Sequence, residues 1–337
     1  MSSKAEEWKA ELGEAEPANG MRRVVLIYNP ASGQTFNHKT SVIDDVLAVL
    51  QGSGVEAKAV ATTAPPGSAA TQVQESIKNG CDAVLACGGD GTVHEVLQSL
   101  AGSHAALGVL PLGTANALAS DLGLPLSPVK AVKMLLKATR VRVPAGRIFY
   151  RDGEGVECSR YFTVAAGIGA DAHLMHRLDA KLKRRLGYAL YAVEGLRVLA
   201  THSFPAFEVA FVERAGCEPR VETVTQLLAI RIRNFGGMLQ NLAPGAALRN
   251  ETLRLVAFKT RNRFDYVRFL AAVIFRRQTF TGKIELLDAV SVECRPRAGL
   301  PECVSVEADG EYLGGLPVRI EIVPDVLTLL VPSLRLP

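Results

Sequence analysis

Six cysteines (Cys81, Cys87, Cys158, Cys217, Cys294 and Cys303) are scattered through 337 residues with no C-x-x-C pair. That scarcity excludes a zinc ribbon and a dense disulfide framework, and it points to a reducing cytoplasm. Long apolar runs are also missing. The longer ones, such as Phe269 to Phe275 and Leu327 to Val331, fall well short of the ~20 residues that cross a bilayer. Any membrane contact is therefore expected to be peripheral and transient, at the cytoplasmic face. Excess charge is absent too: 38 Lys and Arg against 34 Asp and Glu leave a formal net charge of +4. This field is too weak to imply a nucleic-acid partner, though it suits an anionic lipid surface. Three catalytic signatures are lacking: the G-x-x-x-x-G-K-[ST] phosphate loop, the G-x-G-x-x-G dinucleotide turn and the G-x-S-x-G nucleophile elbow.

What is present is a folded chain, 48% hydrophobic and 21% charged, with the length of about two domains. Residues 1–20 have no apolar signal core and read as a disordered polar extension. From residue 21 to 144 strands and helices alternate. Arg23 to Tyr28, Val55 to Ala61, Ala83 to Ala86 and Leu107 to Pro111 are apolar strands, and Ser41 to Leu50, Ala69 to Asn79 and Val93 to Leu100 have helical spacing. Such alternation predicts a doubly wound parallel sheet, with ligands beyond the carboxyl ends of the strands.

Residues 145–323 are different in texture. Tyr161 to Ala165, Phe207 to Val212, Val224 to Ile232, Leu253 to Phe258, Lys283 to Glu293, Val304 to Ala308 and Val318 to Ile322 predict antiparallel strands, hence a β-sandwich. Two helical insertions, Leu174 to Ala200 and Arg263 to Arg277, interrupt it. The first is basic at Lys181, Lys183, Arg184 and Arg185, and reads as a helix packed on the core or as a membrane-facing element. Residues 324–337 form a terminal segment that can return to the first domain.

Three strand ends of the first half run into turns: Asn29-Pro30-Ala31-Ser32-Gly33, Cys87-Gly88-Gly89-Asp90-Gly91-Thr92 and Gly113-Thr114-Ala115-Asn116. Glycines after a strand let backbone N-H groups converge on phosphate oxygens, helped by the dipole of the following helix. An aspartate inside such a turn suits phosphate only with a cation between them, so Asp90 suggests Mg²⁺ or a base near the transferred group. In the second half, Asp309-Gly310-Glu311 reads either as an acidic site or as a hairpin turn between Val304 to Ala308 and Val318 to Ile322. His173 and His176 share a helix face. Arg231 and Arg233 either meet phosphate or line a polar surface.

In these residues the chain resembles the diacylglycerol kinase catalytic family, which includes bacterial lipid kinases and the sphingosine kinases. The shared pieces are Asn29 to Gly33, Thr63 with Gly67-Ser68-Ala69, Gly88 to Glu95, Leu112 to Leu118, Gly167-Ile168-Gly169 and Asp309 to Glu311, in family order over residues 22 to 332. The resemblance implies a phosphofructokinase-like first domain, a β-sandwich second domain, and an ATP- and Mg²⁺-dependent kinase with nucleotide between them. It implies nucleotide contacts from Asn29, Pro30, Ser32, Gly33, Thr63, Gly88, Gly89, Asp90, Gly91, Thr92 and Thr114, with Glu95 and Asn116 shaping the cleft. Asp309 and Glu311 match a late acidic pair whose glutamate accepts the proton of a lipid hydroxyl. In the sphingosine kinase branch the aspartate of the glycine turn, here Asp90, has that role.

Departures from the family carry information. Bacterial members have a structural Mg²⁺ site around an Asp-Gly that follows Pro-x-Ala, whereas this chain has Pro244-Gly245-Ala246 and then Asn250-Glu251. An amide replaces the acid, which puts that site in doubt. His94 and Asn116-Ala117-Leu118 lean toward the sphingoid-base kinases. The expected acceptor is thus a diacylglycerol or a sphingoid base, and a homodimer is left open. Two other readings remain, an NAD kinase and a non-catalytic nucleotide- or lipid-binding relative. NAD kinases continue with Gly-x-Asn-x-Gly, where this chain reads Gly108-Val109-Leu110-Pro111-Leu112-Gly113, and a protein without activity has no chemical need for Asp90, Asp309 and Glu311 together.

Overall fold

The computed structural model describes residues 21–30, 36–63, 68–177, 188–236, 242–277, 280, 282–297 and 304–332, with side chains left out at 36–40, 68, 176–177 and 188–193. The extension over 1–20, Ser32, Gly33, Gly67 and the basic stretch 181–185 lie outside the described residues. The chain divides into two compact units, Met1–Val143 with Asp325–Pro337, and Pro144–Pro324. No described helix is long and apolar enough to cross a membrane.

In the first unit β1 (Arg23–Tyr28), β2 (Glu56–Ala61), β3 (Ala83–Gly88) and β4 (Ala106–Pro111) are parallel, in the order β2-β1-β3-β4. The last residues of β16 (Val318–Val331) join beside β4, also parallel. Helices α1 (Phe36–Gly52), α2 (Ser68–Lys78) and α3 (Asp90–Leu100) make the crossovers, followed by the short α4 (Ala117–Asp121) and by α5 (Pro128–Leu135). Alpha-5 packs on α1 and α2 on α3. β3 and β4 are buried at every position, which is why AVLACG and ALGVLP are continuous rather than alternating. The helix expected from Val93 begins three residues earlier. Gly89 is its N-cap, and Gly89 O takes the amides of Thr92 and Val93 at 3.0 and 3.2 Å, so Asp90 opens the first turn, where the helix dipole favours an acid.

The second unit stacks two antiparallel sheets. One contains the start of β16, then β13 (Ser291–Pro296), β8 (Phe207–Val212) and β9 (Arg220–Val224). The other runs β12 (Ile284–Ala289), β11 (Leu253–Phe258), β10 (Gln226–Ile230), β7 (Ala165–Ile168), β14 (Ser305–Ala308), β15 (Glu311–Gly315). β5 (Thr139–Arg151) pairs with β6 (Glu157–Phe162). Phe162, Phe207, Phe211, Leu227, Leu255 and Ile320 fill the space between the sheets.

Three runs expected as single strands are each two strands in opposite sheets. Tyr161 to Ala165 breaks at Thr163-Val164 into β6 and β7, Val224 to Ile232 breaks at Thr225 into β9 and β10, and Lys283 to Glu293 breaks at Val290 into β12 and β13. At two of these corners the chain stays buried as it changes sheet, so no exposed residue marks the break; at the third Val290 is half-buried. Thr163 and Thr225 are themselves buried. Helices α6 (Ala170–Arg177), α7 (Tyr188–Thr201) and α8 (Arg263–Ile274) belong to this unit. Val198, Phe204, Tyr266, Phe269 and Val273 pack with Val256 and Phe258 of β11 in a second core.

Candidate active site

The strand registers of the first unit set Tyr28 opposite Ala61 and Cys87, and Gly88 opposite Pro111. All four strands therefore end together, and Asn29-Pro30, Thr63, Gly89-Asp90 and Gly113-Thr114 emerge at one sheet edge. The order β2-β1-β3 also makes the space between β1 and β3 the topological switch point, where open α/β sheets take ligands. The two glycine turns are in backbone contact: a Cβ added to Gly113 would lie 2.4 Å from the Gly89 Cα, and one added to Gly88 would lie 2.4 Å from Thr92 Oγ1. Side chains are excluded there, so the two turns pack backbone against backbone.

Asp90 ties these turns together. Its Oδ1 accepts from Ala117 N at 2.7 Å and its Oδ2 from Asn116 N at 3.0 Å. Asn116, at φ 48° and ψ 51°, folds back so that its Oδ1 accepts from Gly113 N at 2.9 Å and its Nδ2 donates to Gly113 O at 2.7 Å. Thr92 and Asn116 are buried and Thr114 is exposed. Glu95 is partly buried, one turn further along α3. A carboxylate set between two glycine turns is the hard oxygen donor that Mg²⁺ takes, so the chemistry of Asp90 fits a Mg²⁺ ion carried by a nucleotide.

In the second unit Asp309 and Gly310 both have positive φ, 48° and 82°, the pattern of a two-residue hairpin turn. The strand paired with β14 is β15, not the expected Val318 to Ile322, because Tyr312 to Gly315 folds back first. The Asp309 carboxylate reaches the sheet-changing corner. Oδ2 accepts from Thr163 N at 3.0 Å, and Oδ1 accepts from Val164 N and Ala165 N at 2.9 and 3.1 Å. Glu311 is half-buried and pairs with Arg160 Nη1. Burial opposes the charge of that guanidinium, but Glu311 and Tyr150 outweigh it and raise the pKa.

Two acids that the sequence reading missed lie beneath this turn. A Cβ on Gly167 would stand 1.7 Å from Asp171 Oδ2 and 2.8 Å from Glu307 Oε1, so both carboxyls converge over the Gly167 backbone, and only glycine fits. Glu307 Oε2 accepts from Gly310 N at 2.8 Å. Burial pushes the Asp171 carboxyl up to about 7. Burial, reinforced by the Asp171 charge, lifts Glu307 well above the usual carboxylate range. The pair thus retains at least one proton at neutral pH. The available signal was the acid in Val304 to Ala308, but only the covering α6 reveals it as buried.

Arg231 corrects its sequence reading, since it meets neither a polar surface nor a phosphate. It is fully buried, and its guanidinium donates to the carbonyls of Leu248, Asn250, Thr252 and Pro144 at 2.7, 2.7, 2.6 and 3.1 Å. Arg233 Nε donates to Ala246 O at 3.3 Å, and Asn250 Nδ2 donates to Gly245 O at 2.8 Å. Converging carbonyls are what a hard cation takes, and here a guanidinium fills the place. The residues 244–252 do not fit a structural Mg²⁺ ion. His173 lies 5.0 Å from the His202 ring, the side chain of His176 is outside the described ones, and no metal-binding cluster occurs among the described residues.

Residues 23–148 match the diacylglycerol kinase catalytic domain family, and residues 163–331 match the YegS C-terminal NAD kinase beta sandwich-like domain. A diacylglycerol kinase of Bacillus subtilis is 28% identical over 88% of this chain and 92% of its own length. A Citrobacter koseri protein named "Probable lipid kinase YegS-like" is 30% identical over 90% of this chain and 96% of its own. A crystal structure of a diacylglycerol kinase from Bacillus anthracis shares the fold with a TM-score of 0.67 at 21% identity, covering 92% of this chain and 97% of that one. With both of its parts matched in this order, the chain belongs to the diacylglycerol kinase family.

Proposed function

We propose that the protein is an ATP-dependent lipid kinase that transfers the γ-phosphoryl group of ATP to the hydroxyl of a diacylglycerol or a sphingoid base. The observation that carries this reading is the single sheet edge at which Asn29, Thr63, the Gly88–Thr92 turn and Thr114 emerge, in a chain of this family. Asn29, Pro30, Ser32, Gly33, Thr63, Gly88, Gly89, Gly91, Thr92 and Thr114 hold the nucleotide, chiefly through backbone N-H groups and the start of α3. Glu95 and Asn116 shape that site. Asp90 would hold Mg²⁺, which when bound neutralises phosphate charge.

Glu311 is the proton acceptor in this reading. The lipid hydroxyl oxygen bonds to the γ-phosphorus as the bond to the β-bridging oxygen breaks and ADP leaves, while the hydroxyl proton passes to the Glu311 carboxylate. Arg160 orients that carboxylate. Asp309 holds the turn rather than the proton, since its oxygens already carry three backbone amides. The protein works in the cytoplasm, in transient contact with the membrane that holds its acceptor.

The test supplies purified protein with Mg²⁺ and γ-labelled ATP, and separately with diacylglycerol, sphingosine or NAD. Label is expected in the organic phase, and Glu311→Gln is expected to lower kcat by about 10²–10⁴-fold with the ATP KM unchanged. Label found only in NADP would replace the lipid reading with an NAD kinase. Absence of label despite ATP binding would mark a non-catalytic relative.

A further inference from the structure

Ten large apolar or tyrosyl side chains stand exposed among the described residues, and five of them, Phe264, Val267, Leu270, Ile274 and Phe275, lie on α8 and its C-terminal cap. Phe264 is 82% and Phe275 73% exposed. At 3.6 residues per turn, Phe264, Val267, Ala271, Ile274 and Phe275 form one stripe, and Leu270 borders it. The opposite side, with Tyr266, Phe269 and Val273, is already buried in the second core. A surface helix ordinarily turns a polar face to water, whereas this one is apolar on both sides.

The helix is firmly seated. The Asn262 side chain caps it by accepting from Phe264 N at 3.1 Å, and the Tyr266 hydroxyl lies 2.8 Å from Thr225 Oγ1. Five arginines, at 261, 263, 268, 276 and 277, are exposed along it. Its single acid, Asp265, is buried and paired with Lys283 Nζ at 3.1 Å. Arg261 and Arg263 also line a shallow depression of about 290 Å³ with His202 and Asn262. Leu196 of α7, which contacts α8, is a further exposed apolar side chain in this unit.

We propose that α8 docks the protein on an anionic bilayer, lying in the plane of the interface with its Phe264 to Phe275 stripe among the acyl chains and its arginines among the headgroups. Apolar side chains rimmed by cations match that environment. A second copy matches it poorly, because a two-fold contact sets the same patch against itself and brings the arginines together. The inference rests on the lipid-kinase reading for its purpose, since an acceptor dissolved in a bilayer must be met there. The surface itself does not depend on that reading.

The test is co-sedimentation of the full chain with vesicles of phosphatidylglycerol and phosphatidylcholine, or of phosphatidylcholine alone. The wild type should bind the anionic vesicles, more weakly as salt rises. Phe264→Ser with Phe275→Ser should lower binding by about 10²-fold or more. Arg268→Gln with Arg276→Gln and Arg277→Gln should lower it by about 10²-fold on anionic vesicles and remove most of the salt dependence. Unfolding of the phenylalanine variant would leave the arginine variant to decide. Equal binding by wild type and folded variants overturns the proposal, as does a wild-type dimer that the phenylalanine variant dissociates. Both variants should keep wild-type kcat in detergent micelles. Vesicle binding through α8 by a protein that phosphorylates no lipid would uphold the docking surface and remove the kinase reading.

Discussion

Asp90 and Asp309 lie in different units, one opening a helix and the other in a hairpin turn, yet their carboxylates do the same work. Each takes successive backbone amides from a segment far along the chain: Asn116 and Ala117 for Asp90, and Thr163, Val164 and Ala165 for Asp309. The difference lies in what each clamp organises. The first draws together the two glycine turns of the proposed nucleotide site. The second fixes the corner where the chain passes from one sheet to the other, next to Glu311, the proposed proton acceptor, which is held by an arginine side chain. In the proposed reading, the acids held by backbone amides brace their turns, and the acid held by a side chain takes the proton.

This comparison can be broken most forcefully at Asp309. Asp309→Ala orphans three amides, two of them on the buried Thr163 and Val164, and is expected to cost about 3 kcal/mol or more, read from urea unfolding. A loss within experimental error would deny the clamp. Asp90→Ala orphans two amides and should cost about 2 kcal/mol, and label transfer should fall with it. If Asp90→Ala destabilised more than Asp309→Ala, the ranking of the two clamps would be reversed.

A pH-dependent effect concerns Asp171, an acid outside both clamps. Its carboxyl lies near 3.8 in the unfolded chain and is raised to about 7 in the folded one, so unfolding releases a proton between those values. Stability should therefore fall as pH rises from about 4 toward 7, and Asp171→Asn should flatten the slope. Thermal melting across that range, unchanged by the substitution, would show that the carboxyl pair does not share its proton.

The parallel half was legible almost residue by residue, because strands buried on both faces read as plain apolar runs. Arg23 to Tyr28 and the glycine turns needed no tertiary information. The sandwich was harder. Corner residues such as Thr163 and Thr225 are as buried as the strands they separate, so the sequence has no mark at the change of sheet. Tyr312 to Gly315 was unreadable as a strand because two glycines carry little β-propensity. Asp171 and Glu307 were missed because they are far apart in sequence and meet only over Gly167. Arg231 looked like a binding residue because arginines are so seldom buried without an acid.

That arginine has a consequence for how the protein depends on its surroundings. A bound ion stabilises a loop only in proportion to the logarithm of its supply, so a loop organised by a dissociable metal loosens when the metal is depleted. The cation at 244–252 is covalently part of the chain and, although burial lowers its pKa to about 10, it stays charged at neutral pH. It cannot be chelated, exchanged or diluted away. In this part of the sandwich, firmness is inherited with the sequence and is independent of the ionic state of the cell.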